Sequence, residues 1–444
     1  MADAARGLRR RPQGEGRWAL LERLLGELLV FAQPADAVIS RFFRERSQLG
    51  MRDRAFLAEA AWCVLRNRSW FAHLADSGTG RMNRRLALLA VDEISPGSLS
   101  DAALMDSETQ WLDRVRTVVA TAQVPGYLRQ SMPEWIMQRL EMQLGADAAL
   151  ACAMTLRQPA SLDLRVNLLL TSPDVARTQL VAEGIGALPA GVLPEALRLT
   201  GKPALSRSKV FQKGWVEVQD LGSQLLARLV APRRGEFIVD LCAGAGGKTL
   251  AIGAALRNTG RLCALDTSAP RLARFRPRLA RSGLSNVWPS AISGLGDERL
   301  RRLAGKADAV LVDAPCSGLG TLRRNPDLKW RTQAADVVRL AEQQAALLAA
   351  AIRLIKPGGR VIFGTCSLLP EENQAVVDQC LARHPNMRRL NCAEILMQQR
   401  LDIPPSWDAF TADGDLMLWP HLTGTDGFYG AALVMTSAGW DNPG

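Results

Sequence analysis

Two cysteines each stand just beyond an apolar run. Asp313-Ala314-Pro315-Cys316 follows Val310-Leu311-Val312, and Thr365-Cys366-Ser367 follows Val361-Ile362-Phe363. Thiolates are potent nucleophiles near neutral pH, so two thiols beside an aspartate suit covalent catalysis. A lone cysteine would more readily be a buried core residue. Two at matching strand ends, downstream of a glycine-rich loop, favour chemistry, because ligands of open α/β sheets gather outside the carboxyl ends of the strands. Histidine is scarce (His73, His384 and His421). Zinc sites and Ser-His-Asp triads are therefore poorly provided for, and no metal is expected.

The glycine-rich loop is Asp240-Leu241-Cys242-Ala243-Gly244-Ala245-Gly246-Gly247-Lys248-Thr249. Three ligand chemistries compete for it. A phosphate-binding P-loop would need a glycine where Cys242 stands. A dinucleotide fingerprint would need its third glycine where Thr249 stands. An S-adenosylmethionine (SAM) loop needs an acid at the strand end and closely spaced glycines that let the backbone approach the cofactor without a Cβ clash. Asp266, at the end of the next apolar run, can accept hydrogen bonds from both ribose hydroxyls, a role common to NAD and SAM folds. Lys248, at the start of a helix, could lower a nearby thiol pKa or meet a cofactor carboxylate, or simply be solvated.

The elements that must position these residues follow from periodicity. Phe237–Leu241, Leu262–Leu265, Ala309–Val312 and Arg360–Phe363 are predicted strands, with a further strand near Val287, and helical stretches lie between them. That alternation predicts an α/β fold, a Rossmann-like, doubly wound and mostly parallel sheet, over residues 216–444. Leu20, Leu21, Leu24, Leu25, Leu28 and Leu29 recur at helical spacing, and so do Phe56, Leu57, Ala60, Ala61, Val64 and Leu65. Residues 18–150 are accordingly expected to form an all-α domain. Residues 151–215, where Leu162–Leu168 alternates like a strand, are expected to form a small α/β connector, and residues 1–17 a disordered basic tail.

The chain has 444 residues and a formal net charge of +11, with a pI of about 9.7. The excess is carried by arginine, since the only lysines are Lys202, Lys209, Lys213, Lys248, Lys306, Lys329 and Lys356. A genomic base bias would also favour arginine, but the positive balance itself points to a polyanionic partner. No apolar run reaches the ~18 residues of a membrane span, and no secretory signal is recognisable. The cysteines show no C-x-x-C pair, so reduced thiols and a cytoplasmic location are expected.

Assembled, these segments resemble the NOP/Sun family of RNA 5-methylcytosine methyltransferases, in particular its bacterial group that modifies small-subunit ribosomal RNA. The resemblance rests on Val218-Gln219-Asp220, the loop from Cys242 to Thr249, and Asp313-Ala314-Pro315-Cys316-Ser317-Gly318. It extends to Arg323-Arg324-Asn325-Pro326-Asp327 with Lys329-Trp330, Lys356-Pro357-Gly358-Gly359, Thr365-Cys366-Ser367 and Thr425-Asp426-Gly427-Phe428-Tyr429. Pro34-Ala35-Asp36 and Arg52-Asp53-Arg54-Ala55-Phe56 are similar to the NusB-like N-terminal domain of that group. Two departures are Ala245, where the family usually has proline, and Asp297, which lies several residues beyond the family's Gly-Asp.

The resemblance implies SAM as cofactor, held by residues 242–248 with Asp266, Asp313 and Asp297. It also implies 16S ribosomal RNA or a small-subunit assembly intermediate as partner; separately, a monomer that binds no membrane is expected. Cys366 would attack carbon 6 of cytosine and Cys316 would help remove the carbon 5 proton. The residues themselves do not separate the two thiols, and DNA cytosine methyltransferases use the Pro-Cys cysteine as nucleophile. Asp313 would meet cytosine N3, its alternative being a helix cap. Arg323, Arg324 and Lys329 would face RNA. A non-catalytic RNA-binding assembly factor on the same fold is the rival, opposed by the intact Cys316, Cys366, Asp266 and Asp313.

Overall fold

The computed structural model describes residues 16–121 and 123–436. The expected basic tail, residues 1–17, lies outside the described residues except at its last two positions. The chain forms two compact units, one reaching to Arg157 and including Asn325–Arg331, the other comprising Gln158–Arg324 and Thr332 onward.

The first unit is helical, with helices at Arg17–Leu28, Ala35–Glu45, Met51–Ala75, Met82–Ile94, Asp106–Thr121, Glu134–Leu144 and Ala146–Arg157. The leucine stripe of the first helix and the apolar face of Met51–Ala75 share one core. The expected boundary at 150 falls inside the last of these helices, because Cys152, Ala153 and Leu156 continue its buried face. The segment Asn325–Arg331 is built into this unit. Asp327 accepts the Ala35 amide at 3.1 Å, and the Trp330 indole donates to the Leu65 carbonyl at 3.0 Å.

The second unit holds two sheets. The smaller comprises β1 (Asp163–Val166), β2 (Ala187–Pro189), β3 (Ala196–Leu199) and β4 (Val216–Val218), antiparallel in the order β2-β3-β1-β4. β1 alternates in sequence yet is buried at all four positions. Its charged face is covered by partners: Arg198 donates to Asp163 at 2.7 and 3.1 Å, and Arg165 donates to Gln219 at 2.7 Å. β4, expected to open the catalytic domain, instead pairs with β1.

The larger sheet comprises β5 (Phe237–Asp240), β6 (Arg261–Asp266), β7 (Val287–Ala291), β8 (Ala307–Asp313), β9 (Ile355–Thr365), β10 (Met387–Leu390), β11 (Leu416–Leu418) and β12 (Phe428–Met435). Its order is β10-β12-β9-β8-β5-β6-β7, with β11 also on β12. The five strands from β7 to β9 are parallel, and β12 runs antiparallel to β9. The chain moves outward from β5 to β7, then returns to β8 on the other side. That reversal of strand order opens a crevice at the carboxyl ends of β5 and β8. No helix among the described residues is long and apolar enough to cross a membrane.

Candidate active site

The crevice contains a cleft of about 420 Å³, walled by Leu241, Cys242, Asp266, Arg271, Asp313, Cys316 and Cys366 among others. That volume lies within the ~300–1,000 Å³ of small-molecule and cofactor sites. At the end of β5, Asp240 is buried and accepts the Thr249 hydroxyl at 2.6 Å. Burial, with the Asp313 charge adding to it, pushes its carboxyl up to about 7. The loop then turns at Gly244 (φ 55°) and Gly246 (φ 80°) before the helix Gly247–Ala255. A Cβ on Gly246 would sit 1.9 Å from the Phe275 ring, so only glycine fits.

Asp266, at the end of β6, fixes this loop by accepting the Gly244 amide and the Ser268 amide, each at 2.7 Å. Each carboxylate oxygen keeps a lone pair free for a further donor, as a ribose diol would require. Cys242 lines the cleft as a thiol held well above its ordinary pKa, first by burial and then by the Asp240 charge. Ala245 is pinned by Arg278, which donates to its carbonyl at 2.7 Å and to Glu217 on β4 at 2.9 Å.

Asp313, at the end of β8, accepts the Lys248 ammonium at 2.7 Å. Lys248 also lies 5.3 Å from the centre of the Phe428 ring. The Cys316 and Cys366 sulfurs are 3.4 Å apart. Behind them Glu372 is 0% exposed. It accepts the Ser317 amide at 2.8 Å, the Ser317 and Ser367 hydroxyls at 2.5 Å each, and the Gln344 amide at 3.1 Å. Gln344 donates also to the Pro315 carbonyl at 2.9 Å, and Asn373 donates to the Ser367 carbonyl at 3.1 Å. The Cys316 thiol is held well above the ordinary range, by its hydrogen bond to Cys366, by burial, and by the charges of Cys366 and Glu372.

Four residues expected at a ligand are engaged elsewhere. Asp297 caps the helix Glu298–Leu303, taking the Ser293 amide at 2.8 Å, the Arg299 amide at 2.9 Å and the Arg299 guanidinium. It does not line the cleft, where Ile292, Gly294 and Leu295 stand instead. Arg323 donates to the carbonyls of Gly424 at 2.9 Å and Pro159 at 3.2 Å. Arg324 bridges Asp426 at 2.5 Å and Asp220 at 3.0 Å. Lys329, 2% exposed, donates to the Arg66 carbonyl at 3.0 Å. An RNA-facing Lys329 is thus corrected to a core residue of the helical unit, whereas Arg323 and Arg324 brace the second unit and remain partly exposed.

Sequence inspection missed Glu372, Gln344 and the Arg271 that lies 3.7 Å from Asp266. The signal for Glu372 was its place three residues after Leu368-Leu369, past Pro370 and Glu371, where a charge follows an apolar stretch close to Cys366.

A mostly parallel sheet with a cofactor-sized cleft at its switch point and a thiol pair on the cleft wall defines a Rossmann-like α/β fold. A family model described as 16S rRNA methyltransferase RsmB/F matches residues 227–434, and the ferredoxin-like domain of RsmF/B-like methyltransferases matches residues 132–206. The chain is 35% identical over 307 residues to the probable ribosomal RNA small subunit methyltransferase B of Synechocystis, covering 68% of this chain and 66% of that one. It is 36% identical over 288 residues to ribosomal RNA small subunit methyltransferase B of Sodalis glossinidius, covering 64% of this chain and 65% of that one. The match thus spans a little under two thirds of each of these relatives. A methyltransferase homolog protein from Pyrococcus horikoshii, of known crystal structure, superposes with a TM-score of 0.59 at 26% identity, covering 70% of this chain and 97% of that one. The chain belongs to the RsmB/F methyltransferase family.

Proposed function

We propose that the protein transfers a methyl group from SAM to carbon 5 of a cytosine in 16S ribosomal RNA, through a covalent bond between Cys366 and carbon 6 of the base. The observation that carries this is the pair of sulfurs 3.4 Å apart in the wall of the switch-point cleft. The donor set fits the cofactor: Asp266 for the ribose, glycines for close backbone approach, and an aspartate and two thiols toward the reacting end. When bound, SAM supplies an electrophilic methyl group.

Carbon 5 of cytosine is too weak a nucleophile unless carbon 6 is first attacked. The Cys366 thiolate forms the S–C6 bond, and the C5=C6 π pair moves onto C5 in conjugation with C4 and N3, as N3 accepts a proton that Asp313 would relay from the Lys248 ammonium 2.7 Å away and later take back; C5 then bonds to the methyl group, whose bond to the cofactor sulfur breaks so that the thioether leaves. After methylation Cys316 takes the carbon 5 proton; that electron pair re-forms C5=C6 as the S–C6 bond breaks, releasing Cys366. Cys316 suits the second role because its proton is held by the hydrogen bond to Cys366, by burial and by neighbouring charge. Once Cys366 is a neutral thioether, the hydrogen bond and the charge that raised Cys316 are gone, and it can become a base. Lys248 holds Asp313 in place.

We assign RNA binding to the helical unit, read as NusB-like, and place the target base in an unstacked position, since chemistry on a paired base requires extrusion. The test is methyl transfer from labelled SAM to deproteinised 16S RNA and to small-subunit particles, followed by nucleoside mass spectrometry. Wild type should yield 5-methylcytosine, and Cys316→Ala should accumulate a covalent RNA adduct. An adduct in Cys366→Ala instead would exchange the thiols. No methylation of either substrate would favour an assembly factor.

A further inference from the structure

Nothing in the chemistry above uses Glu372, although this carboxylate touches both thiol-bearing loops. The loops leave different strands, β8 and β9, and Ser317 and Ser367 directly follow the two cysteines. Their hydroxyls lie 3.2 Å from each other and each donates to Glu372. A buried carboxylate whose oxygens meet four neutral donors is satisfied in hydrogen bonding but not in charge. Its field therefore acts on whatever ionises nearby, and the Cys316 thiol, beside Ser317 whose amide and hydroxyl it holds, is such a group.

We infer that Glu372 is a positioning residue that ties the two thiol loops face to face and, by its charge, assigns the pair's shared proton to Cys316. The titratable groups around Cys316 are Cys366, Glu372 and, three residues upstream, Asp313 with Lys248 bound to it. Of these only Glu372 is fully buried and held by both loops. The hydrogen bonds fix geometry. The charge disfavours a thiolate at Cys316 in the free enzyme and makes that thiolate a stronger base once Cys366 is covalently engaged.

This inference rests on the thiol chemistry proposed above, so its test avoids RNA and SAM. Full-length wild type and Glu372→Gln would be treated with limiting iodoacetamide near neutral pH, and alkylation at each cysteine read by peptide mass spectrometry. Glutamine keeps the shape, and with its carbonyl toward the Ser317 amide and Gln344 its own amide can donate to the two serine hydroxyls that now share one carboxylate oxygen, but it removes the charge. Labelling should fall mainly on Cys366 in wild type, and the Cys316:Cys366 ratio should rise about tenfold in the variant, the equivalent of ~1.4 kcal/mol.

An unchanged ratio in a folded Glu372→Gln protein would overturn the inference even if 5-methylcytosine is made as proposed. A shifted ratio without any methylation would leave the inference standing and sink the functional proposal. Should Glu372→Gln fail to fold, Ser367→Ala offers a second route, because it removes one tether and keeps the carboxylate. It should slow Cys366 labelling and leave Cys316 as unreactive as in wild type; equal loss or gain at both cysteines would refute separate tethering.

Discussion

Lys329 separates what a charge suggests in a sequence from what it does in the fold. An RNA-facing lysine and a buried lysine predict different consequences for Lys329→Met. In the structure, burial and then the nearby Arg157 and Arg66 charges bring the Lys329 ammonium down to about 7 from an ordinary 10.5. A base whose folded pKa is depressed binds fewer protons folded than unfolded between those two values, so stability rises with pH across that window. From pH 6 to pH 8 the unfolded chain keeps this proton while the folded chain loses most of it. With a folded pKa near 7 the integrated change is about one decade, or ~1.4 kcal/mol. Urea unfolding of the full chain at pH 6, 7 and 8 should show wild type gaining that amount relative to Lys329→Met, whose side chain cannot titrate. All other titrating groups cancel in the difference. RNA affinity measured against salt should keep its slope in the variant, whereas loss of a phosphate contact would reduce that slope by about 1. Parallel pH dependence of the two proteins together with a reduced salt slope would refute the burial argument.

Other expectations follow from single contacts. Gly246→Ala puts a Cβ against Phe275 at positive φ; it should cost about 1–3 kcal/mol or more in thermal stability and weaken SAM binding by calorimetry, with Phe275→Leu restoring part of both. Arg324→Met strands the buried Asp220 and Asp426 and should cost about 3–5 kcal/mol in urea unfolding, while Arg324→Lys restores little because two acids need a forked donor. Asp240, raised to about 7 from 3.8, contributes stability at low pH that is lost as pH rises through that window. Asp240→Asn should therefore gain on wild type between pH 4 and 7, by about 4 kcal/mol in full, and a pH-independent difference would refute this.

Much of the catalytic sheet was legible because its strands are short apolar runs ending in chemistry-bearing residues. Asp240, Asp266, Asp313, Cys316 and Cys366 all stand at or just beyond strand ends, and a parallel sheet brings such ends to one edge. Boundaries were harder. β4 reads as the start of the catalytic domain because Val216-Glu217-Val218 precedes Gln219-Asp220, but its pairing with β1 is decided by residues some fifty positions earlier. The braces were hidden for the same reason. Arg324 meets partners 102 and 104 residues away, and Lys329 reaches a carbonyl 263 residues away. A sequence displays each charge but not the distant acid or carbonyl that uses it, so an exposed, ligand-facing role is the default and the structure must overrule it.

The two thiols pose a different problem, since sequence found both and could not rank them. Chemically alike groups 3.4 Å apart share one proton, and nothing in Pro315-Cys316-Ser317 or Thr365-Cys366-Ser367 says where it rests. The asymmetry must come from outside the pair. At Cys316 the hydrogen bond to Cys366 and burial act first, and the charge of Glu372 adds to them, all against a thiolate there. Glu372 lies six residues after one thiol and fifty-six after the other, and its effect on Cys316 is exerted across the fold, so it appears only once the loops close around it. The order of proton loss at this site is therefore a property of the tertiary structure, and changing one buried charge should raise the reactivity of Cys316 relative to Cys366 without touching either sulfur.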